Sequence, residues 1–254
     1  MALFVDGPAS TIDDLTDQDS GLLDVAVSTG INLSMKLRLA MEEIQTDLRL
    51  WLNSRWDACE LVWEPVLRVD QIVVTPPLKL WETMHTLALV YRDAYFNQLV
   101  DRYQAKWQEY AKLARDVRES FIANGLGLVH DPVTQAPPPV LSTTPGPQSG
   151  GTFYARIAWV NAADQEGAPS VASSLTVTDG NLMTVGAGVA PANAAGFNVY
   201  AGNSLDATFL QNDLSLPVGA TYLYVPGQIT QGRLPGTGQA PDYRRRLART
   251  ILRG

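Results

Sequence analysis

FIANGLGLVHDPVTQAPPPVLSTTPGPQSGGTFYARIAWV, residues 121–160, contains the point at which this chain changes its grammar. Upstream the text is helical, charged and rich in long side chains. Downstream it is rich in Pro, Gly, Ser and Thr, with short runs of alternating apolar residues. Of the 26 Asp and Glu residues, 20 precede position 135 and five lie between 150 and 240, so the two halves have different surfaces. The last twelve residues then reverse the charge, with Arg244, Arg245, Arg246, Arg249 and Arg253. This order predicts an α+β multidomain chain. Residues 1–130 form an N-terminal long-helix bundle, 131–151 a Pro/Gly-rich linker, 152–228 an antiparallel β-sandwich, and 229–254 an extended basic C-terminal arm.

Length and composition set bounds on function. With 254 residues, the chain can bury one large core or two modest ones. An apolar fraction of 46% suits a globular protein, and no run approaches the roughly 18 apolar residues of a membrane span. The N-terminus MALFVDGPASTIDDL has no basic start and no apolar signal core, so a cleaved leader is not expected. The single cysteine, Cys59, excludes an internal disulfide framework and a cysteine-based zinc site. A net charge of −7 opposes general nucleic-acid binding, except through the tail.

In the first half, Thr11 is the expected N-cap of a helix whose first turn carries Asp13 and Asp14. Leu33, Leu37, Met41, Ile44, Leu48 and Trp51 then trace one helical face. The stretch ELVWEPVLRVDQIVV is rich in β-branched residues and broken by Pro65. It predicts extended segments at 60–64 and 67–74, pairing as a hairpin. Pro77 starts the longest expected helix, because no Gly or Pro occurs from Leu78 to Ala123. Met84, Ala88, Tyr91, Tyr95, Leu99, Tyr103, Trp107, Tyr110, Ala114, Val117 and Phe121 recur there with a mean step of 3.7. Read as one rod, this segment would run on the order of 65 Å, ending at Asn124-Gly125. Such a rod has more apolar length than its own chain can cover, which predicts packing against further copies of itself. Tyr and Trp at this spacing are read as core or interface residues rather than as a cofactor box.

In the second half, strands are expected at 152–160, 173–178, 182–185, 195–200, 207–211 and 220–225, short and separated by turn residues. Within FYARIAWV, Phe153, Ala155, Ile157 and Trp159 share one face, and Tyr154, Arg156, Ala158 and Val160 the other. The six prolines of 129–151 read as a stiff spacer.

Little in the inventory suits catalysis, and no enzyme, catalytic residue, cofactor or metal site is expected. His85 and His130 stand far apart in no ligand spacing. His85 reads as a packed or interface histidine, and His130 as part of a turn. The adjacent pairs Glu42-Glu43 and Asp13-Asp14 do not share a helix face. Asp57 and Glu60 flank Cys59 and would raise its thiol pKa, which opposes nucleophilic use. The arginine tail admits a solvated end, a docking arm for an acidic groove, or contacts to DNA phosphates. Leu247, Ile251 and Leu252 beside the charges favour docking.

Two resemblances follow from quoted residues. GTFYARIAWVNAADQEGAPS, LTV, AGFNVYAGNS and ATYLYV are similar to the fibronectin-III/immunoglobulin-like modules carried by tailed-phage virion proteins. The similarity lies in Tyr154 and Trp159, the corner Gly167, Pro169 and Ser170, and the strand Gly196 to Tyr200. The acidic start followed by LWETMHTLALVYRDAYFNQLVDRYQAKWQEYAKLARD resembles phage head–tail adaptor (connector) proteins, helical bundles that form a ring, commonly of twelve copies, beneath the portal. This implies a structural virion protein of the neck, assembled in the host cytoplasm, through which DNA passes. Its partners would be copies of itself, the portal, other neck, tail or collar proteins and, transiently and non-specifically, the passing DNA. No membrane is implied. The implied portal-docking arm is Tyr243, Arg244, Arg245, Arg246, Leu247, Arg249, Ile251, Leu252 and Arg253. The implied packing and oligomer face is Met84, Tyr91, Tyr95, Leu99, Tyr103, Trp107 and Tyr110. A sandwich between the last long helix and the arm departs from that family. The alternative is a virion-decorating or receptor-binding protein that uses the sandwich to bind glycan or protein.

Overall fold

The computed structural model describes residues 2–53, 67–227 and 232–245. The extended segment expected at 60–64, Cys59, and the tail residues Arg246, Leu247, Arg249, Ile251, Leu252 and Arg253 lie outside the described residues. The described chain is α+β, with antiparallel sheets, and divides into two units. One holds residues 4–129 and 241–245, the other 2–3 and 130–240.

In the helical unit, local signals set most helix ends. Thr11 caps α1 (Ile12–Gln18) through a reciprocal box, its Oγ1 accepting from Asp14 N while Asp14 Oδ2 accepts from Thr11 N at 2.7 Å. α2 (Leu22–Thr29) stops at Gly30, whose φ of 69° suits the residue without a Cβ. Asn32 Oδ1 accepts from Met35 N at the start of α3 (Leu33–Asn53). The expected stripe Leu33, Leu37, Met41, Ile44 and Leu48 is buried in the core of this unit.

The single rod expected from 78 to 123 is instead two helices. α4 (Pro76–Gln98) ends at Leu99, which is left-handed with φ 52° and ψ 40°, and α5 (Asp101–Asn124) runs back. The aromatic residues meant to project from one rod meet each other across this hairpin. Tyr91 stacks on Tyr110 at 5.6 Å and contacts Tyr103 at 6.1 Å. Tyr95 stacks on Trp107 at 6.3 Å, and Trp81 meets Phe121 at 5.7 Å. The stripe is thus covered within the chain, which removes the surplus-length argument for self-association. Leu99, counted in that stripe, is 70% exposed at the tip.

A small sheet closes the unit. β1 (Leu126–Leu128) follows α5 and pairs antiparallel with β10 (Tyr243–Arg245), setting Leu126 opposite Arg245 and Leu128 opposite Tyr243. On its other edge β1 meets residues 71–73, with Val73 N donating to Gly127 O and Val129 N to Gln71 O, both at 3.0 Å. The segment 67–74 therefore holds a 3-10 turn (Val69–Gln71) and then pairs with β1, while its expected hairpin partner 60–64 lies outside the described residues. Phe4 N donates to Ile72 O, tying in the N-terminal segment.

The second unit carries β2 (Val140–Pro145), β3 (Gly151–Asn161), β4 (Ser173–Val177), β5 (Asn181–Gly186), β6 (Ala194–Gly202), β7 (Phe209–Leu210), β8 (Leu216–Pro217) and β9 (Thr221–Tyr224). One sheet has the order β2-β5-β9. The other has β4-β3-β6-β7, with β8 also on β6. They share one core, in which Phe153, Ala155, Ile157 and Trp159 of β3 meet Met183 and Val185 of β5 and Phe197 and Val199 of β6. The alternation read from FYARIAWV follows from the two-residue period of a strand.

The stretch 131–151 is part of this unit rather than a spacer. It supplies β2 and buries Val133 and Ala136 in the core. Its start is clamped by polar side chains. Gln239 Oε1 accepts from Val133 N at 2.6 Å, and Gln239 Nε2 donates to Asp131 O at 2.9 Å. Asn193 Nδ2 donates to Asp131 Oδ1 and Pro132 O, each at 2.7 Å. The corner after β3 has a similar logic. Ser170 Oγ accepts from Ile157 N, and a Cβ on Gly167 would lie 2.8 Å from Val133 O, so only glycine fits. The arm expected at 229–254 is accordingly engaged with its own chain where it is described, through Gln239 and β10.

Leu99 separates the hairpin from a continuous rod experimentally. A left-handed leucine costs roughly 1–2 kcal/mol, whereas glycine adopts that conformation without a Cβ penalty. Leu99→Gly is expected to raise the stability of the protein by about 1 kcal/mol in urea unfolding. In an uninterrupted helix the same change would lower it by about that amount.

Candidate functional site

Three helices enclose a concavity of the helical unit. The face of α4 bearing Trp81, His85, Ala88 and Arg92, the Glu43–Asp47 turn of α3, and the Trp107–Arg118 stretch of α5 leave a groove of about 410 Å³. Its floor is apolar, with Ile44, Trp81 and Leu89 buried beside the half-buried Trp107 and Ala111. Its rim is charged. His85 Nε2 lies 2.6 Å from Glu43 Oε2. Arg118 forms a fork on Asp47 at 2.6 and 3.0 Å and sits 5.9 Å over the Trp81 ring. The fork and Asp47 hold the Arg118 guanidinium above its usual pKa, against burial. Both rim carboxylates are thus engaged, while Arg92 and Arg115 remain as additional rim cations. Among the described residues that line it there is no Ser, Thr, Cys or Tyr; the lining is an apolar floor with cations on the rim.

A polar node fixes the corner before α2. Asp19 Oδ2 accepts from Tyr91 OH at 2.6 Å, Lys106 Nζ at 2.5 Å and Tyr110 OH at 3.1 Å. Burial pushes the Asp19 carboxyl up, but Lys106 and the Tyr91 hydroxyl outweigh it and hold the group below the usual carboxylate range. Burial and the Asp19 charge push both tyrosine hydroxyls upward, so they stay protonated donors. Glu82, fully buried in α4, has the opposite environment. Its Oε2 accepts from Ala9 N at 2.9 Å and its Oε1 has no partner, so burial pushes its pKa up to about 7.

In the β unit, Glu166 gathers Tyr200 OH, Arg233 and Asn198 Nδ2, and the Arg233 guanidinium lies 5.6 Å over the Tyr200 ring. This cluster crosslinks strand β6 to the segment carrying Arg233 and leaves the carboxylate satisfied.

The residues expected to matter fall into separate places. Met84, Tyr91 and Tyr103 are buried in the helical core, with Tyr95, Trp107 and Tyr110 packed against it. Of these, Trp107 also reaches the groove. Tyr243 packs on the same core, and Arg244 is exposed on β10 opposite Gly127. The Asp19 node and the Glu43–His85 and Asp47–Arg118 pairs were not foreseen. Each joins residues at least 40 positions apart, and a spacing argument has no access to that. Among the described residues no helix is long and apolar enough to cross a membrane. Nor does any group of three or more His, Cys, Asp or Glu fall together as metal ligands. Comparison with protein-family models, curated proteins and solved structures returns no match.

The two buried carboxyls predict opposite pH behaviour. Glu82 is raised from 4.5 to about 7, so the stability it contributes is full below about 4.5 and is lost as pH rises to about 7. Glu82→Gln is expected to gain on the order of 2–3 kcal/mol at pH 8 and nothing at pH 4, measured by urea unfolding. Asp19 is lowered, so its contribution is present above its ordinary 3.8 and lost as pH falls below that. Asp19→Asn is therefore expected to cost stability at pH 7, with the deficit shrinking as the solution is acidified.

Proposed function

We propose that this chain is a structural protein of a tailed-phage virion, an adaptor that forms a ring in the neck between portal and tail. The observation that carries the reading is the pairing of a cross-linked helical unit with an inserted β unit. The chain leaves the helical unit after β1 and re-enters it at β10, so the β unit is attached at both of its ends. Side chains in the helical unit are committed to packing, and its groove presents apolar surface and cations. That arrangement suits holding neighbours better than turning over a substrate.

The β unit is read as a sandwich of the broad immunoglobulin/fibronectin-III-like kind. Two antiparallel sheets over one core, with Trp159 wholly buried against Phe197 at 5.9 Å, support this. Its strand order is its own. β2 and β3 lie in different sheets, whereas the first two strands of an immunoglobulin domain share one. In the neck, this unit would reach collar or tail proteins, and the residues after Arg245 would dock on the portal.

Because β10 belongs to the helical unit, two truncations must be compared. Removing 246–254 is expected to leave the unfolding midpoint unchanged and to abolish binding to the portal ring of the same virion, measured by sedimentation. Removing 241–254 is expected to lower the midpoint as well, because the edge of β1 and the Tyr243 contact are lost. A chain that ignores the portal, yet binds glycans or finished virions, would overturn the adaptor and favour a decorating protein.

A further inference from the structure

We infer that the groove between α3, α4 and α5 receives the exposed face of α2 from a second copy of this chain, so that copies join head to tail. This deepens the ring reading and rests on it for its setting.

Four observations carry the inference. First, α2 buries Leu22 and Ala26 but leaves Leu23 49% and Val27 84% exposed, one turn apart on the same face. Together they make an apolar patch on α2 that the described residues of its own copy leave uncovered. Second, this face is held firmly. Asp19, immediately before α2, is tied to Tyr91, Lys106 and Tyr110, and Gln98 Nε2 donates to Ser28 O near its end. A preorganised helix loses little entropy on docking.

Third, the charges match. Glu43 and Asp47 on the groove rim are engaged by His85 and Arg118. Arg115 is exposed, with its Nε on the Ala111 carbonyl. Arg92 lies 3.7 Å from Asp93, which is itself bound to Lys36. The groove therefore asks for an apolar insert flanked by acid. α2 supplies this through Asp24, exposed between Leu23 and Val27, with Asp17 exposed on α1. Fourth, α2 contributes no residue to the groove lining of its own copy. Tyr91 and Gln98 face α2, whereas Trp81, His85, Ala88 and Arg92 face the groove, roughly a quarter-turn round α4. Insert and groove are separate patches of one molecule. A contact between unlike patches is heterologous, and repeated it closes into a ring or grows as a filament.

The test uses the full chain in analytical ultracentrifugation at high micromolar concentration. Leu23→Lys with Val27→Lys spoils the insert and leaves the groove intact. Ala111→Trp fills the groove and leaves the insert intact. Each variant alone is expected to associate at least tenfold more weakly than wild type, with an unchanged unfolding midpoint. Mixed in equal amounts, they are expected to stop at dimers, because one good contact remains per pair. Should either variant unfold, Arg115→Asp and Asp24→Arg replace them. Each is expected to weaken association singly, and together they are expected to restore it. Variants that assemble like wild type would overturn this contact while leaving the ring reading in place. A wild type that stays monomeric throughout would overturn the contact and withdraw support from the ring.

Discussion

Leu126–Leu128 is fully buried, so each of its backbone N–H and C=O groups must find a partner inside the protein. Residues 71–73 satisfy one edge of this strand, and 242–245 satisfy the other. Much of the architecture follows from that requirement. It draws the segment after the 3-10 turn onto the end of α5, and through Ile72 it holds Phe4 at the start of the chain. It also brings the far C-terminal residues back to the helical unit. The β unit can be inserted at this place because the strand that precedes it and the strand that follows it are hydrogen-bonded neighbours. Asp131 and Gln239 repeat the device inside the β unit, where entry and exit share hydrogen bonds.

The helical unit meets a second constraint through α4 and α5. Eleven apolar and aromatic positions in phase would give a single helix a long uncovered seam. Turning back at Leu99 lets the seam cover itself, at the cost of one residue in a left-handed conformation. Tyr91 shows how closely local packing and polar satisfaction are linked. Its ring stacks on Tyr110, while its hydroxyl meets Asp19, so one side chain fixes both the hairpin and the corner before α2.

What was legible in the sequence was local. Thr11 with Asp14, and Gly125, carry their structural roles within four residues, and each stands at the helix end that its chemistry implies. The alternation of FYARIAWV likewise needs nothing beyond its own strand. Leu99 gave no warning, because leucine has no turn chemistry and the stripe keeps its phase on both sides of the break. Prolines 137–139 made 131–151 look like a spacer, since proline is also at home in extended chain next to a strand such as β2. β1 and β10 were invisible for a different reason. Each is three residues long, and neither has a pattern until its partner is known. The groove belongs to the same class, because it exists only where α3, α4 and α5 pack together. His85 was read as a packed or interface histidine, but its Glu43 partner comes from another helix and could not be named in advance.

The insertion also sets a timetable for synthesis. Every described helix of the first unit precedes the β unit in the chain, yet β10, the strand that covers the edge of β1, follows it. At ribosomal speeds of roughly 5–20 residues per second, the edge of β1 stays open for on the order of ten seconds. During that interval the β unit can fold on its own clamps while the helical unit waits unfinished. A nascent chain therefore cannot complete its helical unit until the whole of the β unit has been translated.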